Sequence, residues 1–287
     1  MTKLEYDATR CRSACEHVAR QIVRPLVTRY YMSDALATRA KCDRSIVTDA
    51  DEAIEREIRA FLDHAFPDFG LLGEELPPVR IASEYIWTID PLDGTEAFAA
   101  GIPLFGTLLA VIRQSPDGSR TPLLGAIYMP LQDLLIIGTR SETTMNGRIV
   151  RLPAPPEAHA RFLIVGDLSA IARTVSPDVQ QRVLTVAGQF RTAQTWGDCL
   201  GYANLLEGKA HARIEAGLGV DDIAPIEPII LGAGGAVSTL DGTSLSDALS
   251  AMRDVTDRTA SFSLVCASTD AMQRELIAAL SATDERG

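Results

Sequence analysis

The sequence predicts a two-lobed protein that mixes helix and sheet, with an antiparallel-rich lobe over residues 1–150 and an α/β lobe over residues 151–287. Three observations carry this expectation. The apolar runs GTLLAVIR (106–113), PLLGAIYMP (122–130) and DLLIIGTR (133–140) succeed one another across turn residues such as Pro116-Asp117-Gly118, the pattern of an antiparallel meander. After residue 160, strand-like and helix-like runs alternate instead, which suits an α/β unit. Between them, RLPAPPEAHA (151–160) has three prolines and little periodicity, the place for a boundary.

The remaining elements follow in chain order. Residues 4–29 carry apolar positions at helical spacing, and DADEAIEREIRAFLDHAF (49–66) puts Ile54, Ile58, Phe61, Leu62 and Ala65 on one helix face. Pro67 and Gly70 stop that helix, and the apolar pair Leu71-Leu72 leads into Gly73-Glu74-Glu75. EYIWTID (84–90) reads as a buried strand, expected to end where Pro91 removes a ladder donor. In the second half, RFLIVGD and HARIEAG read as strands, 178–189 and DCLGYANLLEG as helices. DIAPIEPIILGAGG is a largely apolar helix closed by glycines, and SFSLVCAS and TDAMQRELIAALSA supply a last strand and helix.

Bulk properties exclude several classes of function. With 287 residues, 46% of them hydrophobic, the chain can bury a large core. No apolar run approaches the roughly 18–20 residues of a membrane span, and the N-terminal stretch lacks a signal-peptide core. The expectation is a soluble, cytoplasmic protein with no membrane partner. A formal net charge of −11 argues against nucleic acid as a partner. Cys11, Cys15, Cys42, Cys199 and Cys266 lack the paired spacing of a zinc site. His17, His64, His159 and His211 show no convergent spacing and receive no role.

The chemistry concentrates in WTIDPLDGTEAF (87–98). A strand ending at Asp90 points its carboxylate off the sheet edge, Pro91 forces a turn, and Asp93 returns close by. At about 4 Å and an effective dielectric near 20, two like charges repel by roughly 4 kcal/mol. A hard divalent cation such as Mg²⁺, which prefers oxygen ligands, fits between them. A helix beginning at Gly94-Thr95 would present free N–H groups to an anion beside the metal. Plainer readings exist: Asp93 as a cap in an Asp-Gly turn, Glu74-Glu75 as a solvated pair, Asp51 as an ordinary first-turn residue and Asp222 as a helix cap.

The ordered set of motifs resembles the inositol monophosphatase superfamily of Mg²⁺-dependent, lithium-sensitive phosphatases. The likeness runs from about residue 41 to 242 and comprises KCDRSIVTDAD ending at Asp51, LLGEE, IDPLDGT, and DDIAPIEPIILGAGG. It implies the family fold, a sandwich of alternating helix and sheet layers, and commonly a homodimer. It also implies Glu74, Asp90, Asp93 and Asp222 as metal ligands, with the carbonyl of Leu92 as a further one and Asp51 near a third metal position. Two or three Mg²⁺ ions would thus serve one site. Asp222 rather than Asp221 matches the family ligand, because it stands directly before Ile-Ala and twelve residues before Gly234. By two-metal logic, metal activates a water and stabilises the leaving oxygen. Glu74, Thr95 and Asp51 would be the catalytic residues, with Glu74 and Thr95 orienting and deprotonating the water. The amides of Gly94 and Thr95 would hold phosphate oxygens alongside Asp93 and Asp222.

For the substrate, a small phosphorylated metabolite, TEAFAAGIPLFGTLLAVI and GDCLGYANLLEGKAHARIEAGL look most like the histidinol-phosphate phosphatases within the superfamily. A protonated amino alcohol bearing an imidazole wants an acidic pocket, so Asp198 and Glu215 are candidate partners, with Trp196 as a candidate wall. Asp198 read plainly is a helix N-cap, and Trp196 a core residue. Glu96 departs from the usual Lys or Arg of those enzymes, and Leu200 and Asp221 replace residues that are often aromatic. Inositol monophosphatases and sugar or nucleotide phosphatases of the superfamily are the alternatives. From another class stands a noncatalytic phosphometabolite-binding regulator, which would not need the water-activating pair Glu74 and Thr95.

Overall fold

The computed structural model describes residues 6–31, 38–40, 46–195 and 198–281. The chain opens on α1 (Ala8–His17), whose N-terminal amides at Thr9 and Arg10 donate to the Asp7 carboxylate. A π-helical turn (Val18–Val23) joins it to α2 (Arg24–Tyr31). β1 (Thr38–Ala40) and β2 (Ile46–Thr48) pair antiparallel ahead of α3 (Asp49–Ala65). On α3, Ile54, Ile58 and Leu62 are fully buried, while Phe61 and Ala65 pack at the margin of the same core.

A seven-stranded sheet runs in sequence order through β3 (Gly70–Gly73), β4 (Tyr85–Asp93), β5 (Gly106–Gln114), β6 (Arg120–Met129), β7 (Leu134–Thr139), β8 (Thr143–Met145) and β9 (Arg148–Val150). All neighbours pair antiparallel except β3 and β4, so the expected meander is present and the Leu71-Leu72 segment adds a parallel edge strand. The short helix α4 (Thr95–Ala99) lies between β4 and β5.

One expectation is corrected: β4 does not stop at Pro91. It continues through Asp93, which pairs with Gly106 after a register irregularity between Asp90 and Asp93. The irregularity accommodates the missing N–H, and the Pro91 carbonyl accepts from Thr107 Oγ1 at 2.8 Å.

Beyond the irregular segment 151–157 comes a five-stranded sheet of order β11-β10-β12-β14-β13. Its elements in chain order are β10 (Phe162–Val165), α5 (Leu168–Thr174), α6 (Pro177–Ala187), β11 (Thr192–Thr195), α7 (Asp198–Leu206), β12 (Ala212–Leu218), α8 (Val220–Gly232), β13 (Ala236–Thr239), α9 (Leu245–Ala251), β14 (Phe262–Ala267) and α10 (Asp270–Ser281). β10 pairs parallel with β11 and β12, whereas β14 pairs antiparallel with β12 and β13, so the sheet is mixed. Sequence periodicity anticipates most of these elements but misses α5, β11, β13 and α9, which are short and weakly patterned.

Strand alternation sorts the core into layers. Trp87, Ile89, Leu109 and Val111 face α1, α2 and α3. Ile86, Leu108, Ala110 and Ile112 face the other way, onto residues of α7 and α8 such as Tyr202, Ile223 and Ile226. Leu264 and Cys266 of the second sheet close that middle layer, while Leu163, Val165 and Val265 pack outward on α5, α6 and α10. The result is helix, sheet, helix, sheet, helix: the layered sandwich. The middle layer draws on both halves of the chain.

Helix α8 lies close on the first sheet because glycines leave it room. A Cβ on Gly125 would stand 2.0 Å from the Pro225 carbonyl oxygen, and one on Gly138 would stand 2.4 Å from Ile229 Cα. This close seating brings the N-terminus of α8, and with it Asp222, to the end of β4.

Candidate active site

Two neighbouring strands deliver the first acids. β3 and β4 run parallel with Gly73 opposite Ile89, and the Glu74 amide donates to the Ile89 carbonyl at 3.0 Å, so Glu74 emerges beside Asp90. Asp90 is buried, and its Oδ1 accepts the Leu92 amide at 2.9 Å, which ties the irregular end of β4 to its own side chain. From across the molecule, Asp222 reaches the same place. Its Oδ2 accepts the Gly219 amide at 2.7 Å, so it caps α8 and aims its carboxylate at once. Ligand oxygens of Asp90, Asp93 and Asp222 lie within 4.8 Å of one another. The capping role of Asp222 is therefore the means by which it is positioned.

The electrostatics of this group are one-sided. Burial, then Glu74, Asp93, Asp222 and Asp221 in turn, push the Asp90 carboxyl well above the usual carboxylate range. Burial followed by Asp198 and Asp222 raises Asp93, and burial followed by Asp221 and Glu74 raises Asp222. Among the described residues, the charges that act most strongly on these three carboxyls are all negative. A donor set of carboxylates without His or Cys among its ligands fits a hard divalent cation such as Mg²⁺, which would neutralise it.

Thr95, at the start of α4, sits between two acceptors. Its Oγ1 lies 3.0 Å from Asp51 Oδ1 and 3.0 Å from the Leu92 carbonyl oxygen. Asp51 is fully buried at the first turn of α3. There its Oδ2 accepts from the Thr48 amide at 2.8 Å and the Thr48 hydroxyl at 2.5 Å. Burial raises its carboxyl despite these hydrogen bonds. Gly94 has φ +83°, and a Cβ there would stand 2.7 Å from Asp198 Oδ2, so the turn that leads into Thr95 needs glycine.

Around the acids stand supports that sequence reasoning missed. Glu55 and Arg59, four apart on α3 and buried, grip the segment that carries Glu74. Glu55 Oε2 accepts the Glu75 amide at 2.6 Å, and Arg59 donates to the Leu76 and Pro77 carbonyls at 2.9 Å each. Their helical spacing is a usable signal, but nothing in it names the loop they hold. The Cys199 thiol lies 2.9 Å from Asp93 Oδ2 and donates to it. Burial, then the charge of Asp93, holds Cys199 well above the usual thiol range, in its protonated donor form.

The substrate-side candidates meet different fates. Asp198 lies against Gly94 at the edge of the site, its carboxyl raised to about 6 by burial, with Arg213 lowering and Glu215 raising it. Glu215 on β12 is already compensated: Arg213 donates to both of its oxygens at 2.8 and 2.5 Å, and the Tyr202 hydroxyl donates at 2.5 Å. Glu96 is exposed on α4. Asp221 is buried and paired with Arg258. Trp196, like residues 41–45 of the first motif, lies outside the described residues. Among the histidines, His17 stacks on Phe61 and His211 accepts the Phe162 amide.

The profile of the Inositol monophosphatase family matches residues 9–285. A histidinol-phosphatase of Chlorobaculum parvum (strain DSM 263 / NCIMB 8327) is 31% identical over 235 residues, covering 79% of this chain and 88% of that protein. The Nus factor SuhB of Haemophilus influenzae (strain ATCC 51907 / DSM 11121 / KW20 / Rd) is 27% identical over 227 residues, covering 78% and 82%. Among solved structures, an IMPase/NADP phosphatase complexed with Mg²⁺ and phosphate superposes with a TM-score of 0.76 at 19% identity, covering 96% of this chain and 95% of that one.

Proposed function

This chain belongs to the inositol monophosphatase family and is a phosphatase, and from that premise we propose that its substrate is histidinol phosphate, hydrolysed with Mg²⁺ to histidinol and phosphate. The observation that carries the substrate choice is Asp198. Its carboxylate lies against Gly94, next to the Asp93-Gly94-Thr95 turn but outside the three-aspartate cluster, where it can meet the ammonium or imidazolium of an amino-alcohol ester. The similarity to a histidinol-phosphatase supports the same reading.

In this reading Asp90, Asp93, Asp222, Glu74 and the Leu92 carbonyl hold the metal, which when bound supplies Lewis-acid activation of water and counter-charge for the leaving oxygen. The amides of Gly94 and Thr95 hold phosphate oxygens. Thr95 Oγ1 accepts a proton from the attacking water as its own passes to Asp51 Oδ1, 3.0 Å away. Glu74 orients the same water. Asp51 is fitted to receive that proton because burial already favours its neutral form.

A second reading has its own support. Glu215 is satisfied by Arg213 and Tyr202, which leaves one acid rather than two for a cationic substrate. That favours a neutral polyol phosphate such as inositol 1-phosphate. A panel of histidinol phosphate, inositol 1-phosphate, fructose 1,6-bisphosphate and adenosine 3',5'-bisphosphate, ranked by kcat/KM with Mg²⁺ present, separates the two. Histidinol phosphate is expected to lead, and Asp198→Asn is expected to raise its KM about tenfold with little change for inositol 1-phosphate. A lead for inositol phosphate, unaffected by the substitution, establishes the second reading instead. Light scattering in solution tests the expected homodimer.

A further inference from the structure

We propose that the ion pair between Asp221 and Arg258 sets how tightly the Asp90, Asp93 and Asp222 cluster holds its divalent cation. The proposal rests on the reading of that cluster as a metal site, and it assigns a role to two residues outside the ligand set.

Asp221 is the neighbour of Asp222 in the first turn of α8 and is 4% exposed. Its oxygens do not join the group whose ligand atoms converge, so it contributes charge to the cluster without contributing a ligand. Adjacent to Asp222 in the same helical turn and buried, its carboxylate stands close enough to the cluster for its charge to act there with little screening by water. An unopposed Asp221 would make the site more negative by one unit.

Arg258 opposes it. The residue comes from the irregular segment between α9 and β14, and its Nη1 donates to Asp221 Oδ2 at 2.6 Å. The two side chains differ in setting, with Arg258 44% exposed and Asp221 6%. Arg258 also walls a recess of about 290 Å³ together with Leu72, Glu74, Glu75, Leu76, Pro77, Pro78 and Thr256, so its guanidinium borders the segment that carries Glu74. Guanidinium stays charged at any working pH. Together, Asp221 and Arg258 carry no formal net charge, with the acid buried beside the cluster and the guanidinium half-exposed. Separated, they act in opposite directions.

The opposition of sign supplies the test. Asp221→Asn leaves Arg258 uncompensated beside the cluster, and the Mg²⁺ dissociation constant is expected to rise about tenfold. Arg258→Gln leaves the Asp221 charge uncompensated, and the same constant is expected to fall about tenfold. The double variant is expected to return within about threefold of the parent. Arg258→Met, which also removes the charge, is expected to act like Arg258→Gln and serves if the glutamine variant folds poorly. Calorimetric titration of Mg²⁺ into EDTA-stripped protein reads all four without using turnover. Shifts of one sign in both single variants, or an unchanged constant in a folded Arg258→Gln or Arg258→Met, overturn the proposal. Failure of the unsubstituted protein to bind Mg²⁺ would instead overturn the metal site itself.

Discussion

Two groups of acids in this molecule are treated in opposite ways. Glu215 on β12 is closed from within: Arg213 grips both oxygens, Tyr202 donates to one of them, and the Arg213 guanidinium lies 4.3 Å from the Tyr202 ring centre. Asp90, Asp93 and Asp222 are left to repel one another, with hydrogen bonds from Leu92, Cys199 and Gly219 that aim the carboxylates without neutralising them. A carboxylate with its own guanidinium is part of the framework. Carboxylates assembled with no compensating charge among the described residues would be stable together once a divalent cation arrived from solution, as the proposed metal site requires.

The largest effect that would break this contrast is on turnover. Asp93→Asn should lower kcat by about 10³-fold or more, measured as phosphate release with saturating Mg²⁺. The same change should raise the metal-free Tm by about 2–4 °C, because a repelling charge is gone. A metal-free Tm that falls would mean Asp93 is compensated internally after all.

Arg213→Met should do the reverse. It strands Glu215, and the expected loss is about 3–5 kcal/mol of stability, read from urea unfolding with EDTA present. A loss below about 1 kcal/mol would place Glu215 in contact with solvent or a substrate cation instead.

Glu55→Gln probes a closed pair that supports the open cluster. Loss of the charge facing Arg59 and the Glu75 amide should cost about 1–3 kcal/mol. It should also lower kcat more than it raises KM, since the segment carrying Glu74 loses its grip. An unchanged kcat in a folded variant would confine Glu55 to a structural role.

The smallest expected effect is a pH dependence. The carboxyls of Asp90, Asp93 and Asp222 lie above their ordinary range through burial and mutual repulsion. Groups with raised folded values stabilise the metal-free protein below the unfolded carboxylate range, near pH 4, and that contribution is lost as pH rises through the folded values. Mg²⁺ acts where the carboxylates are ionised. The Tm gained on adding Mg²⁺ should therefore be a few degrees larger at pH 8 than at pH 6, and a gain that shrinks with pH would contradict the open cluster.

Much of this was legible in the chain because it is local. The meander shows in alternating apolar runs, and the helical face of α3 in Ile54, Ile58 and Leu62. β4 runs past the end that Pro91 suggests because Pro91 speaks only for its own N–H, while the register irregularity and the Thr107 hydroxyl depend on the pairing with β5. Cys199 reads as a buried small residue until α7 is seated beside Asp93. Arg213 and Glu215, two apart on a strand, share a face by periodicity, yet the spacing does not tell a pair that neutralises itself from an acid waiting for substrate.

By itself, then, the sequence determined which acids exist and how the nearest of them are spaced. Asp-Pro-Leu-Asp-Gly-Thr crowds two carboxylates and a glycine turn into six residues because backbone geometry over that distance is set by the residues themselves. Tertiary structure decided which distant charges complete or cancel them. Asp222 arrives from α8 because Gly125 and Gly138 let that helix sit close on the first sheet, and Asp221, one residue away, is met by Arg258. Charge acts through space over several ångströms, whereas propensity and pattern act along the chain. Whether an acid here is a ligand, a closed pair or a counterweight depends on neighbours that only folding supplies.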